Sequence, residues 1–232
     1  SRDLQTAMER LSTGKKINSA ADDAAGFAIA ESMTAQIRGL SMAAKNASDG
    51  LSLLKVVENA TNDVTDMLQR IRELAVQAKS GTNSADDIAN LQLEAEALMD
   101  EITRVSESTT FNGVAYLASY TDSNGATQTS RSVNVQVGYN DGDSISLTTN
   151  AVSAIDLDLV TDADSDGVND SGEYLDISGA TALDTISDAI ETVAGYKASW
   201  GAGQNRLEYT VSNLMNVVEY TTAARSRIED AD

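Results

Sequence analysis

Histidine, cysteine and proline are absent from this 232-residue chain, and aromatic residues make up only 4 % of it. Without cysteine, disulfides and thiolate chemistry are excluded. Without histidine, the usual neutral-pH proton shuttle and the commonest zinc ligand are missing, which argues against most catalytic designs. No apolar run approaches the roughly 20 residues that a membrane span needs. No signal-peptide pattern is visible, so if the protein leaves the cell it uses a route that reads no cleavable N-terminal signal. Basic residues are scarce, 16 against 36 acidic ones, for a formal charge of −20. That field repels nucleic acid and anionic membrane and favours cations or cationic partners.

What the chain does have is long apolar periodicity. One stripe runs Leu40, Ala43, Ala47, Gly50, Leu54, Val57, Thr61, Val64, Leu68, Ile71, Ala75, Ala78. A second runs Ile88, Leu91, Ala95, Leu98, Ile102, Val105, and a third extends from Ile186 through Trp200 and Leu214 to Ile228. Spacing of three and four predicts helices that bury a continuous seam. Ser80-Gly81-Thr82-Asn83-Ser84 breaks the first from the second, with Ser84 placed as an N-cap and Asp87 three residues on. A second apolar row (Leu53, Val56, Ala60, Met67, Leu74) accompanies the first seam. It predicts either a central position in a bundle or a face offered to another subunit.

From about Phe111 to Ser178 the period changes to two. Val133, Val135, Val137 and then Ile145, Leu147 alternate, with Asn140-Asp141-Gly142-Asp143 between them as a hairpin turn. Val114 and Tyr116, and then Ile155, Leu157, Leu159, continue the strand-like pattern. Between Arg131 and Lys197 there is no basic residue and there are 13 acidic ones. The order helix, helix, strands, helix requires the last helix to return onto the first two. The predicted fold is mainly α: a long, rod-like antiparallel helical bundle with an inserted β-hairpin and a small acidic β insert. Residues 1–23 read as the end of a terminal helix and a linker, 24–110 and 181–232 as the helical core domain, 111–150 as its hairpin region and 151–180 as the acidic insert. Both ends are expected to be cut inside helical patterns, since Leu4, Met8 and Leu11 begin without a cap and Arg225-Ser226-Arg227-Ile228-Glu229-Asp230-Ala231-Asp232 ends without a glycine or asparagine stop.

One motif carries specific chemistry. The twelve residues Asp162 to Glu173 place carboxylates of Asp162, Asp164, Asp166, Asp170 and Glu173 at positions 1, 3, 5, 9 and 12, with Gly167 at position 6. Alternating carboxylates on a tight loop converge on one point, and an all-oxygen ligand set selects a hard cation. Calcium is the expected ion, with the Val168 carbonyl as a further ligand. Position 8 is Asn169 where an apolar residue is usual, and the flanks 156–160 and 174–177 read as strands rather than helices. The alternative is a solvated acidic loop.

Several stretches resemble the bacterial flagellin family. They are Lys16-Ile17-Asn18-Ser19-Ala20-Ala21-Asp22-Asp23-Ala24-Ala25-Gly26-Phe27-Ala28-Ile29-Ala30, Leu68-Gln69-Arg70-Ile71-Arg72-Glu73-Leu74-Ala75-Val76-Gln77-Ala78, Thr109-Thr110-Phe111-Asn112-Gly113-Val114 with Val135-Gln136-Val137-Gly138, and Arg227-Ile228-Glu229-Asp230-Ala231-Asp232. The resemblance implies a secreted structural subunit, not an enzyme, that polymerises with other flagellin subunits into a filament at the cell surface. It also implies an export chaperone and a cap protein as partners. In family members recognised by the flagellin-sensing Toll-like receptor, the matching positions are Leu68, Gln69, Arg70 and Glu94; the plainer reading of Arg70 and Glu94 is an exposed ion pair or filament contact. Two alternatives stand beside the filament subunit: a hook–filament junction protein, and a cell-surface protein whose acidic insert captures a ligand such as a polysaccharide. An enzyme using Asp156 and Asp158 as acid and base is weaker, because both belong to an acidic run.

Overall fold

The computed structural model describes residues 2–162 and 173–230. Four helices dominate: α1 (Arg2–Thr13), α2 (Ala24–Ala78), α3 (Ala85–Ser108) and α4 (Ala182–Glu229). Between α3 and α4 lie three two-stranded sheets. β1 (Thr110–Phe111) pairs with β2 (Val114–Ala115), β3 (Tyr120–Thr121) with β4 (Thr127–Gln128), and β5 (Ser130–Gln136) with β6 (Ser144–Asn150). The expected helices are all present, each longer than its apolar stripe. α2 in particular starts sixteen residues before Leu40, through an alanine-rich stretch that favours helix without marking a seam.

The residues fall into two compact units, Ser1–Gly50 with Asn134–Ile145 and Arg206–Asp232, and Leu51–Val133 with Ser146–Asn205. In the first unit, Leu40, Ala43 and Leu214 form a buried cluster flanked by Ala44 and Val218. Arg225 donates from Nη1 to Thr34 Oγ1 at 3.1 Å. Pairing Thr34 with Arg225 and Leu40 with Leu214 means that α4 runs antiparallel to α2. Lys15 Nζ meets Glu229 Oε2 at 3.2 Å, and the Lys16 N–H donates to the Glu229 carbonyl at 2.6 Å. Gly39 on α2 lies under Tyr139 of the β5–β6 turn, where a Cβ would stand 2.7 Å from the Tyr139 Cβ. The Leu4, Met8 and Leu11 stripe of α1 is exposed.

In the second unit, Glu58 accepts from Gln204 Nε2 at 2.7 Å and Asn62 from Lys197 Nζ at 2.6 Å, so the two helices are antiparallel here as well. Leu54, Val57, Val64, Leu68, Ile71, Ile102, Ile186, Val193 and Trp200 are buried, as the stripes predicted, whereas on α3 Met99 is buried in place of the expected Leu98, which is half-buried. Trp200 keeps its indole N–H satisfied by the Thr148 carbonyl at 3.0 Å, and the buried Thr61 hydroxyl donates back to Val57 O at 2.7 Å. The second apolar row divides: Leu53 and Leu74 are buried, Ala60 and Met67 are half-buried, and Val56 is exposed. The first turn of α3 is fixed by a capping box, in which Asp87 N–H donates to Ser84 Oγ while the Asp87 carboxylate accepts from the Ser84 backbone N–H.

The strands expected around the acidic motif are reduced to one antiparallel bridge, Val160 with Tyr174. Before it, Leu157 N–H donates to Ser153 O, Asp158 N–H to Ile155 O and Leu159 N–H to Ala154 O. These local bonds use the donors a strand ladder would need, and Asp158 turns into the left-handed region at φ 57°. Leu157 and Leu159 are nevertheless both buried, so the alternation marked an apolar face without marking a strand. After the bridge, the chain is held to α3. Gln92 accepts from Ile177 N–H and donates to Leu175 O, each at 3.0 Å, and Tyr174 Oη donates to Asp100 at 2.6 Å.

Candidate functional site

The motif of α2 and the glutamate of α3 meet on the second unit. A short turn, Lys79–Ser84, reverses the chain and lets α3 run back along α2. Within that hairpin, Arg70 donates from Nε and Nη2 to one oxygen of Glu94, at 2.9 and 2.7 Å. Its Nη1 donates to Glu73 Oε2 at 3.1 Å, a partner one helical turn along α2. The Arg70 guanidinium is held above its ordinary pKa, first by the hydrogen bond to Glu94 and then by that to Glu73. Side chains of both Arg70 and Glu94 remain about half exposed, at 48 and 46 %. Solvent therefore screens the pair, and it adds little to stability. What it does is fix the orientation of a planar, multi-donor cation on an open surface.

The other residues of the expected site separate. Gln69 is exposed beside Arg70, but Leu68 is fully buried. Leu68 therefore belongs to the core and supports this face from behind; its side chain offers nothing to a partner. Its place in the 3-4 stripe was the sequence signal for that role. Glu73 was not among the expected site residues, although its spacing of three from Arg70 is a helical salt-bridge signal. Leu93 and Val76 add exposed apolar surface to α3 and α2.

The expected metal site straddles the limit of the described residues. Asp164, Asp166, Val168 and Asp170 lie outside it, whereas Asp162 and Glu173 lie inside it. The two described ends are brought together: Thr161 N–H donates to Glu173 O, and Leu175 N–H to Leu159 O, both at 2.9 Å, around the Val160–Tyr174 bridge. Among the described residues no group of three or more histidines, cysteines or carboxylates is arranged to hold a metal. No helix among them is long and apolar enough to cross a membrane.

Residues 1–122 match the family model for the bacterial flagellin N-terminal helical region, and residues 183–232 match that for the C-terminal helical region. The chain belongs to the bacterial flagellin family. It is 42 % identical to the flagellin of Halalkalibacterium halodurans over 98 % of this chain and 78 % of that protein. It is 40 % identical to the flagellin of Bacillus subtilis, over 98 % of this chain and 80 % of the relative. Among solved structures, the Bacillus cereus flagellin superposes with a TM-score of 0.55 at 25 % identity, covering 73 % of this chain and 88 % of that one. The putative flagellar hook-associated protein of Vibrio parahaemolyticus superposes with a TM-score of 0.68 over 90 % of this chain and all of that one. At 16 % identity that likeness concerns the fold alone. This family member is thus a structural subunit of the flagellar filament, a motility structure exposed at the cell surface, and it comes from a structural rather than an enzymatic family. The relatives favour neither the junction-protein nor the polysaccharide-binding reading.

Proposed function

We propose that the exposed α2–α3 face bearing Gln69, Arg70, Glu73 and Glu94 is, beyond filament building, a surface read by the flagellin-sensing Toll-like receptor. The observation that carries this reading is the fixed guanidinium: three hydrogen bonds to two carboxylates hold Arg70 while leaving half of it open. A preordered arginine loses less freedom when a partner docks, and such residues recur at interface hot spots. The test is a receptor reporter assay on Arg70→Ala and on Arg70→Ala with Glu94→Ala, with circular dichroism as the control for folding. The double variant is expected to lose receptor activation on the order of tenfold or more. Unchanged activation with an intact fold would leave this face a structural ion pair only. Export with a chaperone, and growth of the filament under a cap protein, complete the proposed set of partners.

A second reading, of the acidic loop, is favoured by the Val160–Tyr174 bridge. With Asp162 and Glu173 held at the two sides of one closed base, positions 1 and 12 of the twelve-residue pattern start out as neighbours. Part of the entropy of closing such a loop is then already supplied by the protein. The carboxylates of Asp162, Asp164, Asp166, Asp170 and Glu173, with the Val168 carbonyl, would supply oxygen ligands to calcium. Calorimetric titration of calcium into chelator-treated protein tests this, with Asp162→Ala/Glu173→Ala as control. Binding in the parent and its loss in the control are expected; equal behaviour of the two would make the loop merely acidic.

A further inference from the structure

The chain contains two Asn-Gly dipeptides, Asn112-Gly113 and Asn124-Gly125. An asparagine before glycine is chemically vulnerable, because the glycine nitrogen is unhindered by any Cβ when it attacks the asparagine side chain. Both dipeptides lie in exposed hairpin loops of the same unit, with open space around each glycine. They differ in how tightly the backbone is tied.

The Asn124-Gly125 loop is pinned through four backbone donors. Gly125 N–H, the would-be nucleophile, donates to the Asp122 carbonyl at 3.0 Å. The Asp122 carboxylate accepts from Asn124 N–H at 2.8 Å and from Ala126 N–H at 3.0 Å, and Asp122 N–H donates to Ala126 O at 2.9 Å. Those backbone donors, Ala126 first, hold the Asp122 carboxyl below its ordinary pKa, so the acceptor stays ionised. The Asn112-Gly113 loop has no such lock. It is a two-residue turn between the paired Phe111 and Val114, with φ of 51° at Asn112 and 77° at Gly113. Among the described residues Gly113 N–H has no acceptor. The hairpin has only two residues per strand, and so short a ladder opens readily on its own.

We propose that Asn112 is a site of spontaneous deamidation and isoaspartate formation, and that Asn124 is protected from the same reaction by its turn. Gly113 N gives up its proton to hydroxide and bonds to Cγ of Asn112. The Cγ–Nδ2 bond breaks, and the side-chain nitrogen takes a proton and leaves as ammonia. Water then opens the succinimide at one carbonyl or the other, giving aspartate or isoaspartate. No oxidant or enzyme enters the balance. Either product adds a negative charge to a chain already at −20. Isoaspartate also routes the backbone through the side chain, adding a carbon to a loop that has room for two ordinary residues. The Phe111–Val114 pair cannot close over that longer loop, so β2 loses its partner beside α3.

The test is to age the folded protein in mildly alkaline buffer, and the urea-unfolded protein alongside, and to map isoaspartate by peptide analysis and isoaspartyl methyltransferase labelling. Folding is expected to slow conversion at Asn124 several-fold more than at Asn112, so that the folded protein accumulates isoaspartate chiefly at 112. Asp122→Ala should speed conversion at 124 and leave 112 unaltered. Equal or greater protection at 112, or no conversion there while the unfolded chain converts, overturns the proposal without reference to any variant.

Discussion

Replacing Gly39 by alanine sets two physical effects of opposite sign against each other at one site. Gly39 lies inside α2, where alanine is favoured over glycine by roughly 0.8–1 kcal/mol. The new Cβ, however, would stand 2.7 Å from the Cβ and 3.6 Å from the Cα of Tyr139. Those atoms are fixed to the backbone of the β5–β6 turn, so no rotamer change relieves the overlap and the turn itself must move. Overpacking of that kind costs about 1–3 kcal/mol, which outweighs the propensity gain and predicts a net loss of roughly 1 kcal/mol. Gly195, on α4, has nothing within 4 Å of the position a Cβ would take. There the propensity term acts alone, and Gly195→Ala should stabilise by about 1 kcal/mol. Urea unfolding followed by far-ultraviolet circular dichroism measures both, as midpoint shifts in opposite directions. Tyr139→Gly removes the opposing Cβ, and in that background Gly39→Ala should become stabilising. If Gly39→Ala alone stabilises as much as Gly195→Ala, the close approach of turn to helix does not exist in solution.

Asp156 is the described carboxyl whose pKa is pushed up, by burial, against the opposing hydrogen bonds from Ser153. A raised folded value means the folded state binds this proton more tightly than the unfolded chain. Its contribution is therefore fully present below the unfolded value near 3.9 and is lost as pH rises through the folded value. Asp156→Asn should accordingly raise stability at neutral pH relative to the parent and flatten the pH dependence above that window, read by thermal unfolding at stepped pH. Asp87 has the reverse sign: its carboxyl is lowered, chiefly by the Ser84 hydroxyl, so the capping box stabilises above the ordinary carboxylate value and is lost as pH falls through the lowered one. Ser84→Ala should cost about 1 kcal/mol at neutral pH and remove that acid-dependent part, and no change in midpoint would mean the cap contributes nothing.

The helices were legible because burial of a continuous seam leaves a period of three and four. Leu54, Val57, Val64, Leu68 and Ile71 are all buried where the stripe placed them. The first sixteen residues of α2 carried no stripe, since alanines satisfy a helix without recording which side faces inward, although the helical core was read from residue 24. Asn140-Asp141-Gly142-Asp143 announced the β5–β6 turn through its Gly142, whose φ of 90° needs glycine. The same kind of signal at Asn124-Gly125 went unread, and with it the β3–β4 hairpin, because its flanks lack apolar alternation. In the acidic insert the alternation of Ile155, Leu157 and Leu159 misled. Period two records sidedness, and local turns take up the backbone donors that a strand ladder would use. At the candidate site, Arg70 and Glu94 came through family resemblance, and their contact is a property of the α2–α3 turn. The buried state of Leu68 was already implied by its seam position, and that periodic evidence outranks its place in the family's motif.

As a flagellin, this chain builds the flagellar filament. Expression of the complete gene in a flagellin-null bacterium, with the cells viewed by electron microscopy, tests it most directly. Filaments several cell lengths long whose subunits carry this sequence, with swimming restored, are the predicted result. Cells that make and release the protein yet remain bald would contradict it.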